Sequence, residues 1–183
     1  MTRLVLASAS PRRRQLLEML GIQVEVRPSA VPEVHRPGEA PRDYALRLAH
    51  DKARAVPGHL VLAADTTVVL DGELLEKPAD EDDAVRMLLR LQGRTHDVVT
   101  AVALRAGETV FEAVDVTAVT FRPAREGMLR AYVRTGEPMD KAGAYGIQGW
   151  AARFVTRIEG SYSNVVGVPV AVVHGLVRDY PNG

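Results

Sequence analysis

The sequence contains no cysteine, carries no formal net charge and is poor in aromatic side chains. Without cysteine the protein can form no disulfide, no thiolate nucleophile and no cysteine-ligated zinc site. The 23 basic and 23 acidic residues balance, and only 5% of the residues are aromatic, which argues against the basic stripe and stacking surface of a nucleic-acid-binding module. We therefore expect any bound anion to be held by a local cluster of side chains.

Long apolar runs are also missing. No stretch of about twenty apolar residues could span a membrane, and no basic segment precedes a long apolar one as in a signal peptide. A Walker-type Gly-x-x-x-x-Gly-Lys-Ser/Thr sequence is absent, which argues against a P-loop kinase or ATPase. The 183 residues are 46% hydrophobic, which suits a single globular domain over 1–183. The lack of cysteine fits a reducing compartment, and we expect a cytoplasmic protein.

The pattern of apolar residues predicts an α/β fold, because a strand, a turn, a helix and a second strand open the chain. Gly21 is expected to end the first helix, since glycine adopts the left-handed conformation at a helix C-terminus without cost. The remaining elements follow from apolar periodicity and turn residues. The predicted strands are 3–7, 22–27, 60–64, 67–70, 97–104, 110–121 and 153–158, and the predicted helices are 11–20, 41–56, 80–92, 125–134 and 169–180.

The segment from Ser8 to Arg13 carries the strongest local signal. A predicted strand ends there and a helix begins, and the unpaired N–H groups and dipole of a helix N-terminus attract anions. The serines add hydroxyl donors, and Arg12 and Arg13 add planar guanidinium groups suited to phosphate oxygens. A capped helix with solvated arginines is the alternative. However, arginine in the first turn opposes the helix dipole, so stability alone would favour acids there.

Lys52 and Asp65 are the next candidates. Lys52 lies on the apolar face of the helix predicted over 41–56, where it would either extend its ammonium to water or direct it into a cleft. Asp65 follows the predicted strand 60–64, where α/β folds commonly bind ligands, so it could hold a divalent cation or accept a proton from water. A turn or cap role for Asp65 is the alternative.

A glycine-rich segment from Glu137 to Gly149 is predicted to be a loop. Three glycines within seven residues suggest that its backbone comes close to a ligand, although a mobile surface loop is the other interpretation. Gln148 offers one donor and one acceptor on a single amide, which can match the N–H and C=O edge of uracil or thymine.

Taken together, these segments resemble the Maf family of nucleotide pyrophosphatases. Six stretches occur in the family's order between residue 4 and about residue 170, and all six together are far more specific than any one. They are Leu6–Arg13, Ala63–Thr66, Glu76–Pro78, Gly93–His96, Asp140–Gly143 and Gly160–Gly167.

The resemblance implies a mixed α/β fold related to the inosine triphosphate pyrophosphatases, with an elongated, twisted sheet, flanking helices and two lobes around a cleft. It also implies cleavage of a nucleoside triphosphate between its α and β phosphates, a divalent cation (Mg²⁺ or Mn²⁺) and a homodimer. The subgroup with glutamine in the late loop acts on the pyrimidine triphosphates dTTP and UTP.

The family's site residues carry over to matching positions of this sequence. The resemblance makes Asp65 the proton acceptor, and we expect Asp65 and Glu33 to hold the metal. It places Lys52, Lys77 and Glu33 among the catalytic residues and Ser8, Arg12 and Arg13 among those that bind phosphate. It assigns substrate specificity to Arg12, Thr66 and Gln148. A nucleotide-binding regulator of septum formation without turnover is the alternative function, because it would need the phosphate site but no activated water.

Overall fold

A computed structural model describes residues 4–179. The chain forms a seven-stranded sheet in the order β2-β1-β3-β5-β6-β7, with β4 paired to β3. The strands are β1 (Leu4–Leu6), β2 (Val24–Val26), β3 (Leu60–Leu70), β4 (Glu73–Leu75), β5 (Thr95–Ala106), β6 (Thr109–Phe121) and β7 (Val155–Glu159). The helices are α1 (Pro11–Met19), α2 (Pro41–Ala55), α3 (Glu81–Leu91), α4 (Glu126–Val133), α5 (Tyr162–Val166) and α6 (Val170–Asp179), and three 3₁₀ segments cover Glu137–Asp140, Ala142–Ala144 and Trp150–Phe154.

The sheet is mixed, which confirms the predicted fold class. β1 pairs in parallel with both β2 and β3, whereas β4 pairs antiparallel with β3 and β7 pairs antiparallel with β6. The parallel strands follow from the β1-α1-β2 opening, because a parallel neighbour requires a crossover helix. Strand β1 is buried along its whole length, as expected of a strand covered on both faces.

Two compact units share the chain. Among the described residues, the first contains 4–65, 100–115 and 167–179, and the second contains 66–99 and 116–166. In the first unit Leu6, Leu17, Leu48 and Leu62 are almost completely buried. In the second, the buried core is formed by Leu70, Leu88, Leu91, Val99, Phe121, Leu129, Tyr132 and Phe154. The prediction of one domain over 1–183 stays a prediction.

Most predicted elements are confirmed, with ends that shift by one to three residues. One prediction is wrong: 60–64 and 67–70 form a single strand, β3, that includes Asp65 and Thr66. The pattern suggested an end at Asp65 because a buried carboxylate is rare in a strand. The β-branched side chains of Thr66 and Thr67 favour continuing the strand, and the charge of Asp65 is paired. No sequence pattern predicted β4, α5 or the 3₁₀ segments, and Arg3 of the first predicted strand and Tyr180 of the last predicted helix lie outside the described residues.

No helix within residues 4–179 has the length and apolar character needed to cross a membrane. The longest described helix that carries a site residue is α2, whose 15 residues include charged side chains from Arg42 to Arg54.

Position 143 requires glycine, both because of its backbone conformation and because of the side chain packed against it. Its φ is +67°, and a Cβ added there would lie 2.9 Å from side-chain atoms of Val68. We expect Gly143→Ala to lower the free energy of unfolding by about 1–3 kcal/mol, because the left-handed conformation and the overlap both oppose a side chain. Urea unfolding followed by circular dichroism measures this change.

The matched control is Gly127→Ala in the first turn of α4. A Cβ at Gly127 meets nothing within 4 Å and its φ is not positive. Alanine should therefore raise the free energy of unfolding there, by about 0.5–1 kcal/mol. Equal shifts in the two variants would contradict the structural reason given for Gly143.

Candidate active site

The turn between β1 and α1 forms a corner that presents hydrogen-bond donors and positive charge, a combination suited to an anion. Ser8 is buried, and its Oγ accepts hydrogen bonds from the backbone N–H of Ser10 and from Nη1 of Arg13, both at 3.2 Å. Ser10 makes no side-chain cap, and the first turn of α1 contains no acidic residue. The helix N-terminus therefore keeps its partial positive charge, to which the half-buried Arg12 and Arg13 add.

Arg13 is fixed in place from two sides. Besides its bond to Ser8, its Nε donates to the carbonyl oxygen of Gly167 at 2.9 Å. Burial lowers the pKa of the Arg13 guanidinium, and the neighbouring carboxylates of Asp65 and Glu33 oppose that change. The same two carboxylates thus act on Arg13 electrostatically, which places the β1–α1 corner next to a second group of charged residues.

That second group is built around Lys52. Its Nζ donates to Oδ1 of Asp65 at 2.6 Å and to Oε1 of Glu33 at 2.7 Å. The side chains of Lys52 and Asp65 are each 8% exposed, whereas that of Glu33 is 35% exposed. The ammonium of Lys52 does not extend to water, and Asp65 does not serve as a turn or cap residue. The buried face of α2 carries the lysine directly to the carboxylates.

The local sequence explains how these three side chains meet. Helix α2 begins at Pro41 and buries Ala45, Leu48 and Ala49 on the same face as Lys52. Asp65 lies on β3, and Glu33 lies in the irregular segment between β2 and α2. Each residue comes from a different part of the chain, so only the fold brings them together.

The charge balance of this cluster favours an anionic ligand. Arg12, Arg13 and Lys52 are cationic, and Glu33 and Asp65 are the carboxylates that interact with Arg13 and Lys52. An excess of positive charge at a helix N-terminus suits a phosphate group, whose oxygens can accept from guanidinium and amide donors.

The two carboxylates also fit a divalent cation. Glu33 and Asp65 each bring an oxygen to the same ammonium nitrogen, and hard anionic oxygens are the ligands that Mg²⁺ and Mn²⁺ prefer. Within residues 4–179 no group of three or more His, Cys, Asp or Glu side chains could hold a metal. Mg²⁺ is typically bound by one or two carboxylates together with water and substrate phosphates, so two carboxylates are a sufficient protein contribution.

The other predicted site residues belong to the second unit. Thr66 is half-buried on β3, Lys77 is exposed in the segment after β4, and Gln148 is exposed between two 3₁₀ segments. The segment of Lys77 is tied to the glycine-rich segment, because the backbone N–H of Gly143 donates to the carbonyl oxygen of Glu76 at 3.1 Å.

A family model described as Maf-like protein matches residues 3–180. The chain belongs to the Maf-like protein family. A protein of Anaeromyxobacter dehalogenans strain 2CP-1, named dTTP/UTP pyrophosphatase, is 55% identical over 180 residues, which cover 96% of this chain and 93% of that protein. A protein of Koribacter versatilis with the same name is 52% identical over 179 residues, which cover 96% of this chain and 93% of that protein.

A solved structure, that of the Staphylococcus aureus Ham1 protein, is similar to 65% of this chain and 71% of its own, with 16% identity and a TM-score of 0.46. The strand order and pairing of this Maf-like chain define its mixed α/β fold class.

Sequence analysis missed several residues that hold the glycine-rich segment of this Maf-like chain. His96, which the sequence marks only as the last residue of the Gly93–His96 stretch, is buried, and its Nε2 lies 2.7 Å from the hydroxyl of Tyr145. Burial lowers the pKa of His96 to about 4, so the imidazole stays neutral near pH 7. Tyr132 and Trp150 also contact the segment, and Glu137, its first residue, accepts hydrogen bonds from both of them. Of these, only Glu137 carried a signal, as an acidic residue at the start of a stretch rich in glycine.

Proposed function

We propose that this chain hydrolyses dTTP and UTP to the monophosphate and pyrophosphate. The observation that carries the proposal is the buried Lys52–Asp65 pair, joined by the more exposed Glu33, beside the Ser8–Arg13 corner. It combines a carboxylate able to accept a proton with cations suited to a phosphate chain. The names of the relatives agree with this activity.

In the proposed reaction a water molecule attacks the α-phosphorus. The new bond forms between the water oxygen and that phosphorus, and the bond to the oxygen bridging the α and β phosphates breaks. Asp65 takes a proton from the water, with Glu33 helping to orient it, and the bridging oxygen leaves as part of pyrophosphate. Ser8 and Arg13 would hold phosphate oxygens. Arg12, Lys52 and Lys77 would offset the negative charge that develops on them.

Glu33 and Asp65 are the residues that we propose to hold Mg²⁺ or Mn²⁺. A bound divalent cation would supply charge neutralisation on the triphosphate and a more acidic water. Lys52 lies between the same two oxygens and limits their mutual repulsion, so the pair is arranged before any metal binds.

We assign base selection to Arg12, Thr66 and Gln148. The amide of Gln148 can donate to a base carbonyl and accept from its ring N–H, a pairing that uracil and thymine offer and cytosine does not. The cytoplasmic location, the homodimer and the lack of nucleic-acid and membrane partners stay predictions.

A pyrophosphate-release screen over the common triphosphates tests the activity. We expect turnover of dTTP and UTP above that of dCTP, dATP and dGTP, and we expect EDTA to abolish it and Mg²⁺ or Mn²⁺ to restore it. Release of orthophosphate in place of pyrophosphate would exclude attack at the α-phosphorus. Tight binding of dTTP without hydrolysis would favour the regulator, and a preference for purines would contradict the role of Gln148.

A further inference from the structure

Gln148 lies at the centre of a short segment that is anchored on both sides. The backbone N–H of Gly146, two residues before it, donates to the hydroxyl oxygen of Tyr132 at 3.2 Å. The backbone N–H of Trp150, two residues after it, donates to Oε2 of Glu137 at 3.0 Å. The segment also turns back on itself, since the N–H of Gly149 donates to the carbonyl of Gly146 at 3.3 Å. Gln148 is therefore carried by backbone that is fixed at both ends.

The two anchors are one connected unit. The hydroxyl of Tyr132 donates to Oε1 of Glu137 at 3.0 Å, so the carboxylate of Glu137 joins the Gly146 anchor to the Trp150 anchor. Tyr132 is fully buried, and burial raises the pKa of its hydroxyl, which therefore stays protonated as a donor. Each oxygen of Glu137 has its own donor. A carboxylate suits this position because both of its oxygens act only as acceptors.

Glu137 is itself held in place and closely packed. Its backbone N–H donates to Oγ1 of Thr135 at 3.2 Å, and its carbonyl accepts from Nζ of Lys141 at 2.5 Å. A Cβ added at Gly149 would lie 2.2 Å from Oε1 of Glu137, so the backbone next to Gln148 passes directly over the carboxylate. Only glycine allows this approach.

Aromatic contacts stabilise the anchor at Trp150. The Trp150 ring stacks on that of Tyr132, with centroids 5.7 Å apart and an angle of 11° between the planes. The Trp150 ring also contacts Arg153, whose guanidinium carbon lies 3.4 Å from the ring centroid. These contacts immobilise Trp150, and with it the end of the segment that carries Gln148.

We infer that Glu137 is a positioning residue for base selection: through Tyr132 and Trp150 it holds the 146–150 backbone so that Gln148 presents its amide in one orientation to a pyrimidine base. This inference rests on the proposed function, because it takes Gln148 as the residue that recognises the base. Glu137 touches neither the base nor the phosphates in this account, and it acts only through the backbone on both sides of Gln148.

The test compares Glu137→Ala, Glu137→Gln and Tyr132→Phe with wild type, using kcat and KM for dTTP and dCTP. We expect Glu137→Ala to lower the ratio of kcat/KM for dTTP to that for dCTP by about tenfold, mainly through KM for dTTP, because a contact to the base is present in both ground and transition states. The ratio for Glu137→Gln should lie between those for wild type and Glu137→Ala, since an amide accepts with only one of its atoms. Tyr132→Phe keeps the ring and should reproduce part of the loss.

Two further variants separate positioning from general structural damage. Glu126→Ala, which removes an exposed glutamate of α4 that pairs with Arg130, should leave the ratio unchanged. In Gln148→Ala the base contact is already lost, so adding Glu137→Ala should lower the ratio no further. A fall of kcat/KM by the same factor for both substrates in Glu137→Ala, or an additive loss in the double variant, overturns the inference.

Trp150 provides a readout that does not depend on activity, because it is the only tryptophan in the chain. If Glu137 holds the segment, acrylamide should quench the fluorescence of Trp150 more strongly in Glu137→Ala and Glu137→Gln than in wild type and Glu126→Ala. Equal quenching in all four proteins overturns the inference even if dTTP is a good substrate. A wild-type protein without turnover of dTTP, but with increased quenching in the two Glu137 variants, instead overturns the proposed function and leaves the anchoring by Glu137 supported.

Discussion

Replacing Asp65 with asparagine is expected to lower kcat/KM for dTTP by about 10³-fold, within the range measured when a general base is removed. Asparagine keeps the size of the side chain and an oxygen that can accept from Lys52, but it has neither the charge nor the basicity to take a proton from water. Because Lys52 retains its bond to Glu33, the loss of one carboxylate should not prevent folding. Pyrophosphate release over a range of dTTP concentrations gives kcat/KM, and a thermal melt followed by circular dichroism tests whether the variant folds.

Asp71→Asn is the matched control for this prediction. Asp71 immediately follows β3, is exposed, and pairs with Arg94 rather than with a buried lysine. Its φ of 54° is one that asparagine adopts readily, so the backbone is not strained by the change. Its kcat/KM should stay close to that of wild type. Near-normal turnover in Asp65→Asn would remove Asp65 from the reaction.

Asp65 also illustrates how far sequence reasoning reaches. Its position after an apolar run identified it as a candidate, but the same run suggested that the strand ended there. The strand continues because Lys52 compensates the buried charge of Asp65. Lys52 lies on α2, and no local sequence pattern shows that this helix brings its lysine to Asp65. For Lys52, apolar periodicity predicted a position on the buried face of α2, but its ammonium could either extend to water or point into a cleft. Only the fold distinguishes these alternatives.

The glycine-rich segment is a second region whose structure could not be predicted from sequence patterns. Its composition predicted a loop, whereas the structure contains 3₁₀ segments, and the hydroxyl of Tyr132 and the carboxylate of Glu137 accept hydrogen bonds from the backbone N–H groups of Gly146 and Trp150. Such bonds join side chains to backbone groups at separations that no periodicity reveals, so Glu137 carried only a weak signal. In contrast, the turn from β1 to α1 could be predicted because Ser8, Arg12 and Arg13 lie close together along the chain, whereas their binding of phosphate stays a prediction.

Lys52→Met is expected to reduce both activity and stability. Methionine fills the space of the lysine stem but leaves the carboxylates of Asp65 and Glu33 without their shared cation. Removing one partner of a buried ion pair typically costs about 3–5 kcal/mol, and we expect about 3 kcal/mol because Arg13 still interacts with both carboxylates. The loss of a positive charge near the phosphates should lower kcat/KM for dTTP by about 10²-fold. Urea unfolding and pyrophosphate release measure the two effects.

The double variant Lys52→Met/Asp65→Asn separates these two effects of the lysine. Removing the buried carboxylate together with its cation leaves no uncompensated charge at Asp65, so the double variant should be more stable than Lys52→Met by about 1–2 kcal/mol while remaining inactive. Arg90→Met is the control for the loss of a cation in general, because Arg90 pairs with Glu73 at the surface and its removal should change stability by less than about 1 kcal/mol. If the two single losses of stability simply add in the double variant, Lys52 and Asp65 are not energetically coupled. The lysine would then serve the active site through its charge alone and not by making a buried carboxylate tolerable within β3.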